Sequence, residues 1–268
     1  MKLSIITGCK NAEGAIERTI LSVVTQSCFN ENIEYLIIDG ASTDKTVEII
    51  KQYADKYPIK WISEPDSGIY NAMNKGIKLA TGDYLLFLNA GDYLIHYNVV
   101  KSLTNLFESG TFDLIHGNTF CVDPETEKYA VKAVPETPEV DFFYLDTLPH
   151  QATFYKKEVF EKFGGYEENF KIISDNILNK KLICDYHVSA KHVDQVISVF
   201  VSDGISFTNT KLDLEERKTF QKNYFSEEEI KQIKAKHIVL PSKKKKSLPR
   251  FLAKILIKIR TLRNNSGE

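Results

Sequence analysis

The architecture of this chain is most readable at residues 33–68, which read IEYLIIDGASTDKTVEIIKQYADKYPIKWISEPDSG. The short apolar run at 35–38 is typical of a buried strand. Residues 43–57 then place apolar side chains at helical spacing, with Ser42 or Thr43 as a cap. Trp61 and Ile62 form the next short strand. The segment is therefore predicted to be a strand, a helix and a second strand.

The same alternation continues on both sides of this segment. A strand is predicted at 3–7 and an amphipathic helix at 13–26, and a further helix and strand at 69–80 and 84–88. Strands that alternate with helices favour a parallel, doubly wound sheet with right-handed crossovers. One large α/β domain with an appended tail suits a chain of 268 residues.

Polar side chains follow each of the four strands predicted in this half. In such sheets, ligands bind at the carboxyl ends of the strands, where the strand order reverses. Each residue alone suits a local role, because Asp and Asn favour turns and helix caps. Together they predict a site for a polar ligand, and they are Lys10 and Asn11, Asp39 and Asp44, Glu64 and Asp66, and Asn89 and Asp92.

The pattern is weaker in the second half of the chain. Residues 117–149 are rich in acidic residues and prolines and read as irregular. Strands are expected at 113–116, 152–155 and within 187–201, and helices at 157–163, 175–184 and 212–237.

Composition excludes several classes of protein. An apolar fraction of 43% and a charged fraction of 26% are ordinary for a globular protein and exclude a disordered chain. The four scattered cysteines lack the paired spacing of a zinc or redox centre, so free thiols are expected. The N-terminus has no signal-peptide pattern, and no run approaches the roughly twenty apolar residues of a membrane span. We therefore expect a cytoplasmic protein.

The charge is distributed unevenly along the chain, whose formal net charge is −1. From Ser242 onward, nine Lys or Arg residues face a single Glu, a net +8 that leaves −9 for the rest. Three regions are expected: a domain at 1–207, a helical extension at 208–240 and a basic amphipathic tail at 241–268.

The tail places apolar side chains from Phe251 to Leu262 on one helical stripe and basic side chains on another. This pattern predicts peripheral binding to an anionic membrane, at the inner face of the plasma membrane. A helix docked on the domain and a solvated basic tail are the alternatives.

Several motifs resemble the family 2 glycosyltransferases of the GT-A fold, in particular bacterial enzymes of colanic-acid and related polysaccharide assembly. The motifs are DGASTDKT at 39–46, EPDSGIYNAMNKG at 64–76 and FLNAGD at 87–92, followed by PHQATF at 149–154, GGY at 164–166 and SD at 174–175. The resemblance implies a Rossmann-like mixed sheet flanked by helices. It also implies a UDP-, GDP- or dTDP-sugar donor, inversion at the anomeric carbon, and a divalent metal such as Mg or Mn.

The resemblance implies donor-side roles for residues of the earlier motifs. Asp39 matches the acid that contacts the nucleoside, and Asp66 and Asn89 match donor-side positions. Asp92 matches a metal ligand and would share the ion with substrate phosphates. Lys10 is expected to add positive charge beside the phosphates. The local alternatives are turn-forming roles for Asp39 and Asp66 and a solvated Lys10.

The later motifs concern the acceptor. Asp175 matches the general base that takes a proton from the acceptor hydroxyl; its alternative role is a helix N-cap. His150 is expected on the acceptor-side wall, or else as a hydrogen-bonded structural histidine. The resemblance thus implies sugar transfer to a glycan or lipid-linked saccharide in surface polysaccharide biosynthesis, and no nucleic acid is expected among the partners.

Two other functions fit parts of the sequence. A sugar nucleotidyltransferase also needs a Rossmann-like sheet, although no glycine-rich, basic phosphate loop occurs near the N-terminus. A pseudoenzyme that binds a nucleotide sugar without turnover would explain the single aspartate at 89–92, where the family often has several.

Overall fold

The computed structural model describes residues 1–202 and 209–238. Its main elements follow one another as β1 (Leu3–Cys9), α1 (Ile16–Val24), α2 (Phe29–Asn32), β2 (Ile33–Asp39), α3 (Thr46–Ala54), β3 (Ile59–Ser63), α4 (Ile69–Leu79), β4 (Tyr84–Phe87), β5 (Tyr93–Leu94), α5 (Val99–Ser102), α6 (Thr104–Ser109), β6 (Leu114–Asp123), β7 (Lys128–Lys132), α7 (Val140–Leu145), β8 (Thr153–Lys156), α8 (Lys157–Phe163), α9 (Ser174–Lys180), β9 (Ala190–Val201), α10 (Thr210–Tyr224) and α11 (Glu227–Ile238). A 3₁₀ turn at His150–Ala152 precedes β8, and a π-helical turn at Lys181–Asp185 follows α9.

The first half of the chain forms the parallel part of the sheet. Strands β3, β2, β1 and β4 lie side by side and run in the same direction. Neighbouring residues of β1 point to opposite faces, so Ile5 packs in one apolar core with Ile20 of α1, and Ile6 packs in the other with Met73 of α4. The predicted βα alternation is confirmed, and it brings the carboxyl ends of these strands to one edge.

Beyond β4 the sheet becomes mixed. Strand β8 runs antiparallel to β4 and to β6, β9 runs parallel to β6, and β5 runs antiparallel to β9. Over the described ranges, nine strands form one sheet in the order β3-β2-β1-β4-β8-β6-β9-β5, with β7 paired to β6. This is the mixed sheet that the family resemblance implied. The parallel arrangement expected from alternation stops at β4, because its next neighbour, β8, lies far along the chain and is not reached by a single helical crossover.

The segment predicted to be irregular, 117–149, contains regular structure. Strand β6 continues to Asp123 and forms a hairpin with β7, and Asp123 Oδ1 accepts the N–H groups of Glu125 and Thr126 at 3.0 and 3.1 Å in the turn. The side chains of β7 are half-buried or exposed. The apolar alternation of this edge strand is limited to Tyr129 and Val131, which pack against Phe120, and so short a pattern is a weak strand signal.

The C-terminal helices pack on the domain. Phe220, Phe225 and Ile233 are buried in the apolar core that contains Met73 of α4. The helical segment predicted at 212–237 is divided before Ser226, which caps α11. The Ser226 N–H donates to Glu229 Oε2 at 2.6 Å and the Glu229 N–H donates to Ser226 Oγ at 3.2 Å, a reciprocal capping box.

Two expectations concern the ends of these regions. The boundary expected at 207 and 208 falls in the undescribed stretch 203–208, and the tail at 241–268 lies outside the described residues. None of the helices in the described part of the chain is both long and apolar enough to cross a bilayer. The four cysteines are free thiols.

Candidate active site

Two adjoining cavities lie where the carboxyl ends of β1 and β4 meet the chain around α9. The first cavity has a volume of about 430 Å³ and includes the residues that follow β1 and β4. The second cavity has a volume of about 280 Å³ and includes the start of α9. Both cavities are lined by Tyr70, His150, Ile172 and Phe200. These four residues form a wall that the two cavities share.

Asn89 is held at the first cavity by a close approach of the chain at Gly8. A Cβ on Gly8 would lie 2.7 Å from Ile69 Cδ1 and 3.2 Å from Asn89 Oδ1, so a larger residue would displace these side chains. The Gly8 N–H donates to Asn89 Oδ1 at 3.3 Å. The side-chain amide of Asn89 is thereby placed on the cavity lining, 3.2 Å from His150 Nε2.

Asp66 also lines the first cavity, and it joins two of the sequence motifs. Its Oδ1 accepts the N–H of Gly68 at 3.0 Å. Its Oδ2 lies against Gly40, where any Cβ would collide with it. Position 40 therefore has to be glycine, because the Asp66 carboxylate leaves no room for a side chain there.

Asp39 is fully buried and lies outside the lining of both cavities. Its Oδ2 accepts the Ser42 N–H at 3.0 Å and the Ser63 hydroxyl at 2.6 Å. Its Oδ1 accepts the Ser42 hydroxyl and the Cys9 thiol. The carboxylate thus holds the loop that follows β2, and its contact with a nucleoside stays a prediction.

Two lysines bring positive charge to the first cavity. Lys10 is exposed at its lining and has no hydrogen bond or ion pair within the described part of the chain. Lys171 was not predicted from the sequence. Its Nζ donates to the Ser67 carbonyl at 2.6 Å and to the Glu168 carbonyl at 3.3 Å. It lies in the irregular segment between α8 and α9, where no periodic pattern could have indicated it.

His150 stands between two carboxylates in the shared wall. Its Nδ1 is 3.5 Å from Asp175 Oδ2, and its Nε2 is 3.8 Å from Asp92 Oδ2. Burial lowers the pKa of His150, but the hydrogen bond and charge of Asp175 and the charge of Asp92 outweigh burial, so the pKa lies above its ordinary value. The two carboxylates therefore make this imidazole easier to protonate than an ordinary histidine.

Asp175 is 7% exposed and lines the second cavity. Its Oδ1 accepts the Tyr70 hydroxyl at 3.1 Å and the Asn176 N–H at 2.9 Å. Helix α9 begins at Ser174 with Ile173 at the N-cap position, so Asp175 lies within the first turn and does not occupy the cap. Burial and the Asp175 charge raise the pKa of Tyr70 well above its ordinary value, so Tyr70 remains a hydrogen-bond donor.

The far side of the second cavity contains two ion pairs that the sequence did not reveal. Lys132 Nζ lies 2.6 Å from Asp146 Oδ1, and Arg217 Nε lies 2.8 Å from Asp213 Oδ2. Lys132, Arg217 and Asp213 all line this cavity. Helix α10 therefore supplies part of the wall of the second cavity.

Asp92 is a residue of the first cavity that could hold a divalent metal. Asp92 lines the first cavity and is 6% exposed, and its backbone carbonyl accepts the Thr19 hydroxyl at 2.7 Å. No group of three His, Cys, Asp or Glu side chains that could hold a metal occurs among residues 1–202 and 209–238. This donor set fits an Mg or Mn ion that takes one carboxylate and completes its shell with diphosphate oxygens and water. It does not fit a metal held by protein ligands alone.

Sequence comparisons identify the family of the chain. The model of the family described as Glycosyl transferase family 2 matches residues 4–164. An uncharacterized glycosyltransferase of Mycobacterium tuberculosis is 33% identical over 187 residues, which cover 68% of this chain and 70% of that protein. A PGL/p-HBAD biosynthesis glycosyltransferase of Mycobacterium bovis is 26% identical over 215 residues, 79% of this chain and 81% of that protein.

Solved structures with the same fold agree with the sequence comparisons. The crystal structure of S. aureus TarS 1-349 in complex with UDP has a TM-score of 0.62 at 19% identity. The matched region covers 75% of this chain and 60% of the TarS chain. The mannosyltransferase PcManGT from Pyrobaculum calidifontis, in complex with GDP-Man and Mn2+, has a TM-score of 0.60 at 16% identity. The matched region covers 93% of this chain and 66% of PcManGT. The chain therefore belongs to glycosyl transferase family 2 and is a glycosyltransferase with the GT-A fold.

Proposed function

We propose that this enzyme moves a sugar from a nucleotide-sugar donor in the first cavity to a hydroxyl of a glycan or lipid-linked saccharide in the second. The observation that carries the proposal is the wall shared by the two cavities, in which His150 stands 3.5 Å from the Asp175 carboxylate. TarS with UDP and PcManGT with GDP-Man support the class of donor. The relative named for PGL/p-HBAD biosynthesis supports a role in surface polysaccharide or glycolipid assembly.

On the donor side, a diphosphate needs positive charge and hydrogen-bond donors. We assign Lys171 and Lys10 to the phosphates and Asp66 to the donor, because all three line the first cavity. Asp39 would reach a nucleoside only if Ser42, Ser63 or Cys9 gave up a hydrogen bond to the carboxylate. Its assignment to the donor therefore includes a rearrangement of the loop after β2.

A divalent ion, Mg or Mn, would be held in the first cavity by Asp92, with Asn89 beside it. When bound, the ion would neutralise charge on the leaving diphosphate. His150 stands at the same wall, 3.8 Å from the Asp92 carboxylate, and its raised pKa would let it add a second positive charge when it is protonated.

On the acceptor side, Asp175 acts as the general base. The acceptor oxygen attacks the anomeric carbon from the side opposite the nucleoside diphosphate, so the new carbon–oxygen bond forms as the bond to the phosphate oxygen breaks. The diphosphate leaves with the bonding electron pair, and the hydroxyl proton passes to the Asp175 carboxylate. The configuration at the anomeric carbon is inverted. Tyr70 and the Asn176 N–H hold the other carboxylate oxygen and thereby orient the base.

Calorimetry with UDP-, GDP- and dTDP-sugars tests the donor assignment. We expect one nucleotide class to bind with at least tenfold preference, and binding to be weakened by Asp66→Asn. No binding by any of the three classes, with or without Mn²⁺, would contradict the proposal.

The released product separates the remaining functions. A glycosyltransferase releases a nucleoside diphosphate, whereas a sugar nucleotidyltransferase forms or consumes pyrophosphate. Donor binding without release of either product, on any lipid-linked saccharide offered, would identify a binding protein without turnover.

We further propose that the tail at 241–268 brings the enzyme to the inner face of the plasma membrane. Its support is the sequence pattern, an apolar stripe beside a basic one together with four consecutive lysines at 243–246. A lipid-linked acceptor would be presented at such a surface.

A further inference from the structure

Glu216 is a buried carboxylate on α10, outside the residues 4–164 that match the family. It is 8% exposed, and its two oxygens accept three consecutive backbone N–H groups. Oε1 accepts the N–H of Lys171 at 2.7 Å, and Oε2 accepts those of Ile172 and Ile173 at 2.9 and 3.3 Å. Phe220, one turn further along α10 on the same face, is 1% exposed and anchors the helix in the core.

The three residues held by Glu216 serve both cavities. The side chain of Lys171 lines the first cavity, and Ile172 belongs to the shared wall. The Ile172 carbonyl accepts the Tyr70 hydroxyl at 2.6 Å, and the same hydroxyl also contacts Asp175. Ile173 is the N-cap residue of α9, two positions before Asp175. One carboxylate thus holds the backbone that connects the phosphate side of the site to the base.

The chemistry of this contact requires a carboxylate. Three adjacent N–H groups at a buried bend need three acceptor lone pairs, and an ionised carboxylate offers about four on two oxygens. A glutamine offers only one oxygen and turns its own N–H groups toward the remaining backbone N–H. An apolar residue would leave all three N–H groups without a partner.

We propose that Glu216 is a positioning residue of the transfer reaction, through which α10 sets the place of Asp175 in the second cavity and of Lys171 in the first. The proposal rests on the proposed role of Asp175 as base. Misplacement of reacting groups by about 1 Å can cost about 10²-fold in rate. Helix α10 of the C-terminal extension would then hold the active-site backbone in place, and its loss would impair transfer.

The test compares Glu216→Gln and Glu216→Asp with the control Glu215→Gln, which changes an exposed neighbour on the same helix. Amide hydrogen exchange, measured without substrate, reports whether the N–H groups at 171–173 and the amides at 175 and 176 lose protection. Steady-state kinetics with the donor identified by calorimetry report kcat and the donor KM separately.

We expect Glu216→Gln to speed exchange at these amides, to lower kcat by tenfold or more and to raise the donor KM. Glu216→Asp keeps both oxygens and should recover part of the kcat, and Glu215→Gln should match the wild type. If kcat and the donor KM of Glu216→Gln are unchanged, the proposal is overturned whether or not the amides exchange faster. Glu216 would then only stabilise the packing of α10.

Failure of the proposed function would look different. In that case the wild type would bind no nucleotide sugar at all, whereas the amide exchange would still decide whether Glu216 holds the 171–173 backbone. Full protection of those amides in Glu216→Gln would overturn the proposal without any activity measurement.

Discussion

Asp175→Asn removes the proposed proton acceptor while leaving most of its hydrogen bonds in place. The Tyr70 hydroxyl and the Asn176 N–H both donate to Oδ1, at 3.1 and 2.9 Å, and an amide oxygen can accept both. The change falls on Oδ2, which lies 3.5 Å from His150 Nδ1. An amide NH₂ at that position cannot take a proton at neutral pH and faces the imidazole with a donor.

The expected magnitudes differ between rate and stability. Loss of a positioned general base costs roughly 10²–10⁴-fold in rate, or about 3–5 kcal/mol of activation free energy. A charged hydrogen bond to His150 is worth about 1.5–3 kcal/mol in the free energy of unfolding, and only where His150 is protonated. Without the Asp175 charge, the pKa of His150 should fall, because burial continues to act on it.

Three measurements on purified proteins separate these effects: the rate of sugar transfer, the melting temperature and the calorimetric affinity for the donor. We expect the rate of sugar transfer to fall by roughly 10²–10⁴-fold, while the affinity for the donor stays within about twofold of the wild type. Asp185→Asn is the control, since Asp185 is also an ion-paired carboxylate, 2.7 Å from Lys180 Nζ, but lines neither cavity. If Asp175→Asn melts and binds donor normally and still transfers within a few-fold of the wild type, Asp175 is not the base.

Four further predictions concern other parts of the protein. Asp92→Asn should weaken the effect of Mn²⁺ on donor affinity; equal affinity with and without chelator in both proteins would argue against a metal at Asp92. Lys171→Gln should lower donor affinity by roughly tenfold, about 1.4 kcal/mol, with a smaller effect on kcat, whereas equal affinity would remove Lys171 from the phosphate site. The raised pKa of His150 should contribute stability that is complete below pH 6.5 and is lost as the pH rises through the folded-state pKa; melting curves of wild type and His150→Gln that differ equally at all pH values would contradict this. The full-length protein should sediment with anionic liposomes more than a 1–240 variant, and equal sedimentation would exclude the tail as a membrane anchor.

The fold of the first half was predictable because its signals are local. Strands such as β2 and helices such as α4 follow from apolar periodicity within a few residues, and the loops between them follow from turn residues such as Gly40 and Gly68. The hairpin of β6 and β7 escaped prediction, because the apolar alternation of β7 is limited to Tyr129 and Val131 and both are only half-buried. The reversal of direction beyond β4 depends on pairing between distant strands, on which local patterns carry no information.

The candidate site divides in the same way. The sequence alone determined the order of the elements up to β4 and the polar residues at their ends, because periodicity and turn chemistry depend on neighbours along the chain. Only the tertiary structure shows that the Asp39 carboxylate is hydrogen-bonded to Ser42 of the loop after β2. It also shows that Lys171 Nζ donates to the carbonyl of Ser67, 104 residues away in the chain. It also decided that Glu216 holds the Lys171 backbone across 45 residues. These contacts follow from the packing of whole elements against one another, and no local sequence pattern encodes which buried N–H group will meet which carboxylate.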